Sequence, residues 1–389
     1  FIVLCGVFGY LYLGKDRGED RAKQKTEEKV REAKSAQSTK TQAARPIEIE
    51  LFTSSAKKTW IERAITAFHA QHPAVDGKEV RVRVYHVLSG DSMEDLKAGK
   101  IQPDIWSPGD ESWLIMASDY WKEVKGKPLY DSYHPLINVP LVIAMWEPMA
   151  RALGYPKLIG WSDIVKLARD PKGWGSVGHP EWGKFRWGHA HPDANSGFLA
   201  VLSLVYAAAG KTSGLSPDDL KRPEVVAFLK DAESSVEHYG LSNDFIDQLM
   251  HSRGPAYLSC AVQYENTIIE SNEKHGNQPF RLVAVYPKEG AVWTQHPAVV
   301  IKESWMTLEK EKACSMFLEF LLSDRAQGLA IQCGLRPISR SVNVASPFDQ
   351  NHGVMESPPS IPMLAVPSQS VLQRIRDLWE EVKLPATIG

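Results

Sequence analysis

From Pro46 onward the chain switches repeatedly between two hydrophobic periods, and that alternation limits the architectures open to it. Ile47, Ile49 and Leu51 recur at every second residue, as in a strand with one buried face. Trp60, Ile61, Ala64, Ile65 and Phe68 then follow the three- and four-residue spacing of a helix. Val80, Val82 and Val84 predict the next strand, with helices over 91–98 and 110–121 around a short buried strand at 103–106. Parallel strands need a crossover, usually a helix, so the pattern predicts an α/β protein with mostly parallel sheets flanked by helices. Ligands in such sheets gather at the carboxyl ends of the strands.

The apolar run NVPLVIAMW at 138–146 starts a second core, with helices predicted over 161–169, 196–209, 223–238 and 243–252 and strands over 256–261 and 280–286. Residues 298–301 and helices over 309–322 and 324–332 resume the first pattern. No repeat of fixed period is visible. The stretch from 337 to 370, rich in Pro and Ser, predicts a wrap or linker, followed by a short helix from Val371 and the apolar end LPATIG at 384–389.

At 389 residues the chain is long enough for more than one packed unit. Its 45 Lys and Arg balance 47 Asp and Glu to a formal charge of −2, so it lacks the basic excess that nucleic-acid binding requires. Residues 1–13 carry no charge and 14–45 almost nothing apolar, which reads as the remnant of a membrane anchor followed by a solvated tether. A cleaved signal peptide is the alternative, and Leu4 argues against a lipid anchor on Cys5. Ten Lys or Arg against six Asp or Glu over 15–45 favour a cytoplasmic flank, but that rule compares two flanks and the other precedes Phe1. Cys260, Cys314 and Cys333 form no CxxC pair and read as buried thiols, with a Cys314–Cys333 disulfide as the minor alternative.

Four stretches bring polar side chains to strand–helix junctions. In Thr53-Ser54-Ser55-Ala56-Lys57-Lys58 the hydroxyls can cap a helix or offer oxygens beside free N–H groups, where the dipole favours an anion. Ser54 and Lys57 also match the SxxK of serine acyl-transferases, but no SDN or KTG partner follows. In Pro103-Asp104-Ile105-Trp106-Ser107-Pro108, Trp106 and Ser107 face the crevice of Ser54 if the two strands are neighbours; the plainer reading is a core Trp and a turn Ser. Asp104 is read as satisfying local N–H groups. The segment 178–197 holds His179, Glu181, His189, His191 and Asp193, then Asn195 and Ser196 before an apolar helix. His189 and His191 would share one side of a strand and invite a metal, yet helical HEXXH spacing is absent, so no metal is assigned. In 259–266, Tyr264 and Glu265 reach a helix's first turn, where a Glu suits the dipole whatever the function.

Taken in order, TSSAKKTWIERAITAFHAQ (53–71), PDIWSP (103–108), PLVIAMWEPMARALG (140–154), GHPEWGKFRWGHAHPDANSG (178–197), RGPAYLSCAVQYEN (253–266) and YPKEGAVWTQHP (286–297) resemble the bacterial extracellular solute-binding proteins of the type 2 periplasmic fold, near the molybdate- and sulfate-type binders. The resemblance implies lobe I from 46–138 and 287–345, lobe II from 139–286, crossings near 137–142 and 282–287, and a tail over 346–389. It implies closure on a small polar or anionic solute held without a countercharge by Ser54, Ser55, Ser107, Asn195, Ser196 and Tyr264. Trp106, His189, His191, Asp193 and Glu265 are weaker candidates. It further implies a binder that is no enzyme, without cofactor or nucleic acid, extracytoplasmic, tethered by its N-terminal anchor and serving an ABC permease. The stretch HAHPDANS is more polar and richer in His than in those binders. Some members continue, after a segment like 378–389, into a von Willebrand factor A domain, whose DxSxS loop would follow soon after Gly389. Two other readings stand beside this one: an adhesion or assembly module with such a domain, and a metal-dependent or serine hydrolase.

Overall fold

The computed structural model describes residues 45–383. The expected anchor at 1–13, nearly all of the tether at 14–45 and the LPATIG end with any domain after it lie outside these residues. Residues 47–76 and 80–383 form one compact unit. Among the described residues no helix is long and apolar enough to cross a membrane.

The first part of the chain runs β1 (Ile47–Ser54), a 3-10 turn (Ser55–Lys57), α1 (Lys58–His69), β2 (Ala74–Val75), β3 (Lys78–Val87), α2 (Ser89–Lys97), β4 (Ile105–Ser107), α3 (Glu111–Lys125) and β5 (Tyr133–His134). The alternating Ile47, Ile49 and Leu51 are buried on β1, and the stripe Trp60, Ile61, Ala64, Ile65 and Phe68 is the buried face of α1. Asp110 caps α3 by accepting from Ser112 N at 3.0 Å, and Gly126, at φ 66°, ends it in the left-handed conformation that glycine adopts without strain.

Next come β6 (Ile137–Trp146), α4 (Glu147–Ala152), α5 (Trp161–Arg169), β7 (Trp187–Ala190), α6 (Asn195–Ala209), α7 (Pro223–Glu233), β8 (Val236–Gly240), α8 (Asn243–Arg253), β9 (Cys260–Tyr264), α9 (Glu265–Lys274) and β10 (Leu282–Val285). The chain then returns through β11 (Trp293–Thr294), β12 (Ala298–Val300), α10 (Leu308–Leu322), α11 (Asp324–Gln332) and β13 (Arg336–Pro337) to α12 (Gln369–Val382).

The first sheet has the order β2-β3-β1-β4-β12-β5, the second β10-β6-β9-β7-β8. Both are mixed. β1 is parallel to β3 and β4, and β7 to β8 and β9, as helical crossovers require. The antiparallel pairs involve strands that arrive from the other part of the chain: β12 against β4 and β5, β6 against β9 and β10. β6 also joins the two parts. Its first residues pair with β11 and β13 (Pro140 with Trp293, Asn138 with Arg336), and from Leu141 on it lies inside the second sheet, buried at every position.

Two expectations change. Residues 223–238 are not one helix: α7 stops at Glu233, where the Ser235 hydroxyl donates to Ala232 O at 2.7 Å in competition with the helix, and 236–240 pairs as β8. The strand expected at 256–261 is displaced to β9, because Tyr257 and Leu258 turn back to Gly254 O. The Pro- and Ser-rich stretch is irregular yet packed, with Phe348, Val354 and Leu364 buried. The three cysteines at 260, 314 and 333 are free and buried, as expected.

α12 closes the molecule. Its stripe of Val371, Leu372, Ile375, Leu378, Trp379 and Val382 packs on α3, α6 and α7. Trp379 Nε1 donates to the buried Glu233 carboxylate at 3.0 Å, and Arg376 lies over the Trp113 ring at 5.4 Å. A free linker would leave stability unchanged on mutation. Trp379→Ala is instead expected to cost about 3–5 kcal/mol, the range for emptying a large buried aromatic site, measured by urea denaturation.

Candidate functional site

The strand-to-helix junctions of both sheets converge on one cavity of about 100 Å³. Ser54 and Ser55 come from the end of β1, Leu88 and Ser89 from the end of β3, and Asn195 and Ser196 from the start of α6 after β7. Ser242, Asn243 and Asp244 follow β8, and Tyr264, Asn266 and Thr267 follow β9. Each junction presents the first N–H groups of a helical segment, which lack partners within the helix and carry the positive end of its dipole. The wall adds hydroxyls and side-chain amides. Its charged residues are Lys58, Asp244 and Glu270.

Asn195 ties the floor together. Its Oδ1 accepts from Trp113 Nε1 of α3 at 2.5 Å, and its Nδ2 donates to the Tyr264 hydroxyl. Asn266 Nδ2 reaches Ala56 O at 3.3 Å, and Gly90 N donates to Asp193 O at 3.2 Å. Gly109 allows this approach: a Cβ there would lie 2.5 Å from Asn195 Nδ2.

Ser54, Ser55, Asn195, Ser196 and Tyr264 are thus brought together. Ser107 is not on the wall: it is buried behind it, with its hydroxyl donating to Pro297 O at 2.8 Å. Trp106 is a core residue whose Nε1 donates to Ser92 at 3.1 Å. His189 is fully buried, with Nδ1 donating to Ala190 O and Nε2 3.4 Å from Glu233. His191 pairs with Asp193 and meets the Trp379 ring edge-on, and Asp193 also faces Arg376, so the two histidines do not converge on a metal. Glu265 accepts from Arg336 Nε at 2.7 Å and Nη2 at 2.9 Å and from the Tyr286 hydroxyl, joining α9 to β13.

Lys57 points away from Ser54. Its buried Nζ donates to Ser107 O at 3.0 Å and Pro108 O at 3.3 Å, while Ser54 Oγ accepts from Ala56 N, so no SxxK pair forms. Ser89, Ser242, Asn243 and Thr267 are wall residues that sequence reasoning missed. Ser242 and Asn243 follow the strand misread as helix, and Asn266 lies within a quoted motif without being selected; Ser89 could have been found as the first hydroxyl past the valine strand.

Two mixed sheets flanked by helices in this arrangement form the α/β fold of two lobes seen in type 2 periplasmic binding proteins. Among solved structures, the periplasmic binding protein AfuA from Actinobacillus pleuropneumoniae, with fructose-6-phosphate bound, is similar at a TM-score of 0.61 and 14% identity, covering 87% of this chain and 99% of that one. A periplasmic thiamin binding protein is similar at 0.62 and 11%, over 87% and 96%. The sulfate-binding protein SubI from Mycobacterium tuberculosis H37Rv gives 0.50 and 18%, over 80% and 93%. Curated proteins compared by sequence give no match. The chain belongs to the bacterial extracellular solute-binding protein family, whose profile matches residues 49–336. The family is one of binding proteins found outside the cytoplasm.

Two predictions follow from the buried groups. Glu265→Ala leaves the Arg336 charge uncompensated in the interior and is expected to cost about 3–5 kcal/mol in urea denaturation. His296 is buried near Lys57, and burial followed by that neighbouring cation holds its pKa well below the usual value. A histidine depressed in the fold contributes stability that is complete above its unfolded pKa of about 6.5 and is lost as pH falls below it. His296→Asn should therefore flatten the decline in unfolding free energy below that pH.

Proposed function

We propose that the protein is a receptor for a small polar or anionic solute, closing lobe I (46–138 with 287–345) and lobe II (139–286) on it and delivering it to an ABC permease. The observation that carries this reading is the convergence of five strand-to-helix junctions, from both sheets, on one cavity. Helix N-termini are ready-made sites for oxyanions, and Ser54, Ser55, Ser196, Asn195 and Tyr264 supply the contacts. Relatives in fold bind a sugar phosphate, sulfate and thiamin, by their descriptions, so the preference for an oxygen-rich solute rests on the hydroxyls and helix N-termini of the cavity. The hinge is the start of β6 with its partners β11 and β13, and a solute that binds the closed form better shifts the equilibrium toward it. An anchor over 1–13 would keep such a receptor at the membrane.

Thermal unfolding in the presence of sulfate, phosphate, molybdate, sugar phosphates and neutral sugars tests this directly. A true solute at a hundredfold excess over its Kd should stabilise the protein by about 2.7 kcal/mol. Ser55→Ala and Ser196→Ala should each weaken it roughly three- to tenfold, the worth of one hydrogen bond. Gly109→Ala should weaken it by more, since the new methyl group meets Asn195 and holds the lobes apart. The reading fails if no solute stabilises the protein, or if the serine variants bind as the parent does.

A further inference from the structure

A second cluster lies farther along the same two helices that bring Asp244 and Thr267 to the cavity. Asp247 and His251 stand one turn apart on α8, and His275 follows the last residue of α9. One ligand atom from each lies within 4.8 Å of the other two. We propose that Asp247, His251 and His275 bind one divalent cation of the zinc type.

Hydrogen bonding leaves acceptors facing acceptors. His251 Nδ1 is 2.7 Å from Gln278 Oε1, a carbonyl that can only accept, so the proton sits on Nδ1 and the Nε2 lone pair turns inward. That Nε2 is 3.5 Å from Asp247 Oδ1. Asp247 is 7% exposed, and its Oδ1 has no hydrogen-bond donor. His275 Nε2 is likewise buried without a partner. Two imidazole lone pairs and a carboxylate oxygen lying this near one another would be compensated by a cation between them, and two imidazoles with one carboxylate are a donor set that suits zinc.

The surroundings fit. Trp146 meets the His251 ring edge-on at 5.2 Å and fixes its orientation, while Gln278 supplies the outer hydrogen bond that metal-bound histidines make. The Ser271 hydroxyl, now 2.6 Å from His251 Nε2, can rotate away. An adjoining cavity of about 230 Å³ leaves room for water to complete the shell. On its rim Asp244 and Glu270 outweigh Lys274 in charge. His275 now stacks on His251 with centroids 3.9 Å apart. Reaching the edge of about 3.3 Å in a tetrahedral shell with Zn–N near 2.0–2.1 Å requires it to tilt, and its partly exposed place at the helix end permits that.

The test is zinc titration by calorimetry of the full chain, free of any affinity tag and stripped with a chelator, with cobalt absorption spectra as a second readout. One zinc per chain is expected, with roughly micromolar or tighter affinity, a raised melting temperature and the visible bands of cobalt in a low-coordinate site. Asp247→Asn and His275→Asn should each weaken binding by at least about tenfold, the lower end of what even outer-shell changes cost. His275→Asn, at an exposed helix end, should keep the parent circular dichroism, which separates lost binding from lost folding. His179→Asn, at a half-buried histidine elsewhere, should bind as the parent does. The proposal is overturned if zinc does not bind at micromolar concentration, or if binding survives both Asp247→Asn and His275→Asn.

Discussion

A single strand is shared by both halves of this molecule, and most of the architecture follows from that constraint. β6 leaves the first sheet's side of the chain, pairs at its start with β11 and β13, and ends as an interior strand of the second sheet. Because its later residues are buried on both faces, the sequence there is an apolar run without alternation. Any relative motion of the sheets must bend the chain where β6 changes partners, since from Leu141 onward it is held by strands on both sides. The Glu265–Arg336 pair reinforces this place by fixing the start of α9 to β13, one of the short strands on β6.

Opposite demands meet at the cavity. Asn195 uses its oxygen for Trp113 and its amide nitrogen for Tyr264, so one side chain joins α3, α6 and the end of β9. α12 repeats the connection from outside, with Arg376 over Trp113 and beside Asp193 and with Trp379 on Glu233. Opening the cleft would have to break or slide these contacts. The polar ones are individually modest, about 0.5–1.5 kcal/mol for a typical hydrogen bond, a scale that a bound solute can match.

Much of this was legible in the sequence, and the failures have physical causes. The stripe on α1, the full extent of α5 and α11 and the apolar β6 follow from periodicity alone, because burial dictates those residues. β8 was hidden because Val236–Gly240 continues directly from a helix, and only pairing with β7 makes it a strand. Ser54, Ser55 and Ser196 were visible as hydroxyls at strand–helix junctions. Ser107 satisfies the same sequence rule, yet its hydroxyl turns to Pro297 O, a partner almost two hundred residues away that no local pattern reveals. Asp247 and His251 have the i, i+4 spacing of helical metal ligands, but their third partner is contributed by the end of another helix, so the triplet exists only in three dimensions.

The charge arrangement around the cavity bears on how a solute could be both held and released. Lys57 lies in the motif nearest the site, but it is wholly buried, faces the Ser107 and Pro108 carbonyls, and burial holds its pKa well below the usual value. It therefore adds little fixed positive charge. On the wall itself Lys58 is accompanied by Asp244 and Glu270, so in the proposed receptor attraction for an anion would rest chiefly on helix N-termini and hydroxyls, each contributing a fraction of a charge and each directional. Such a site selects by the number and placement of oxygen atoms, because a solute lacking one of them leaves a buried donor unpaired. In the proposed receptor it would also avoid the deep electrostatic well of a buried ion pair, so that opening the lobes, which returns water to the donors, would weaken the grip.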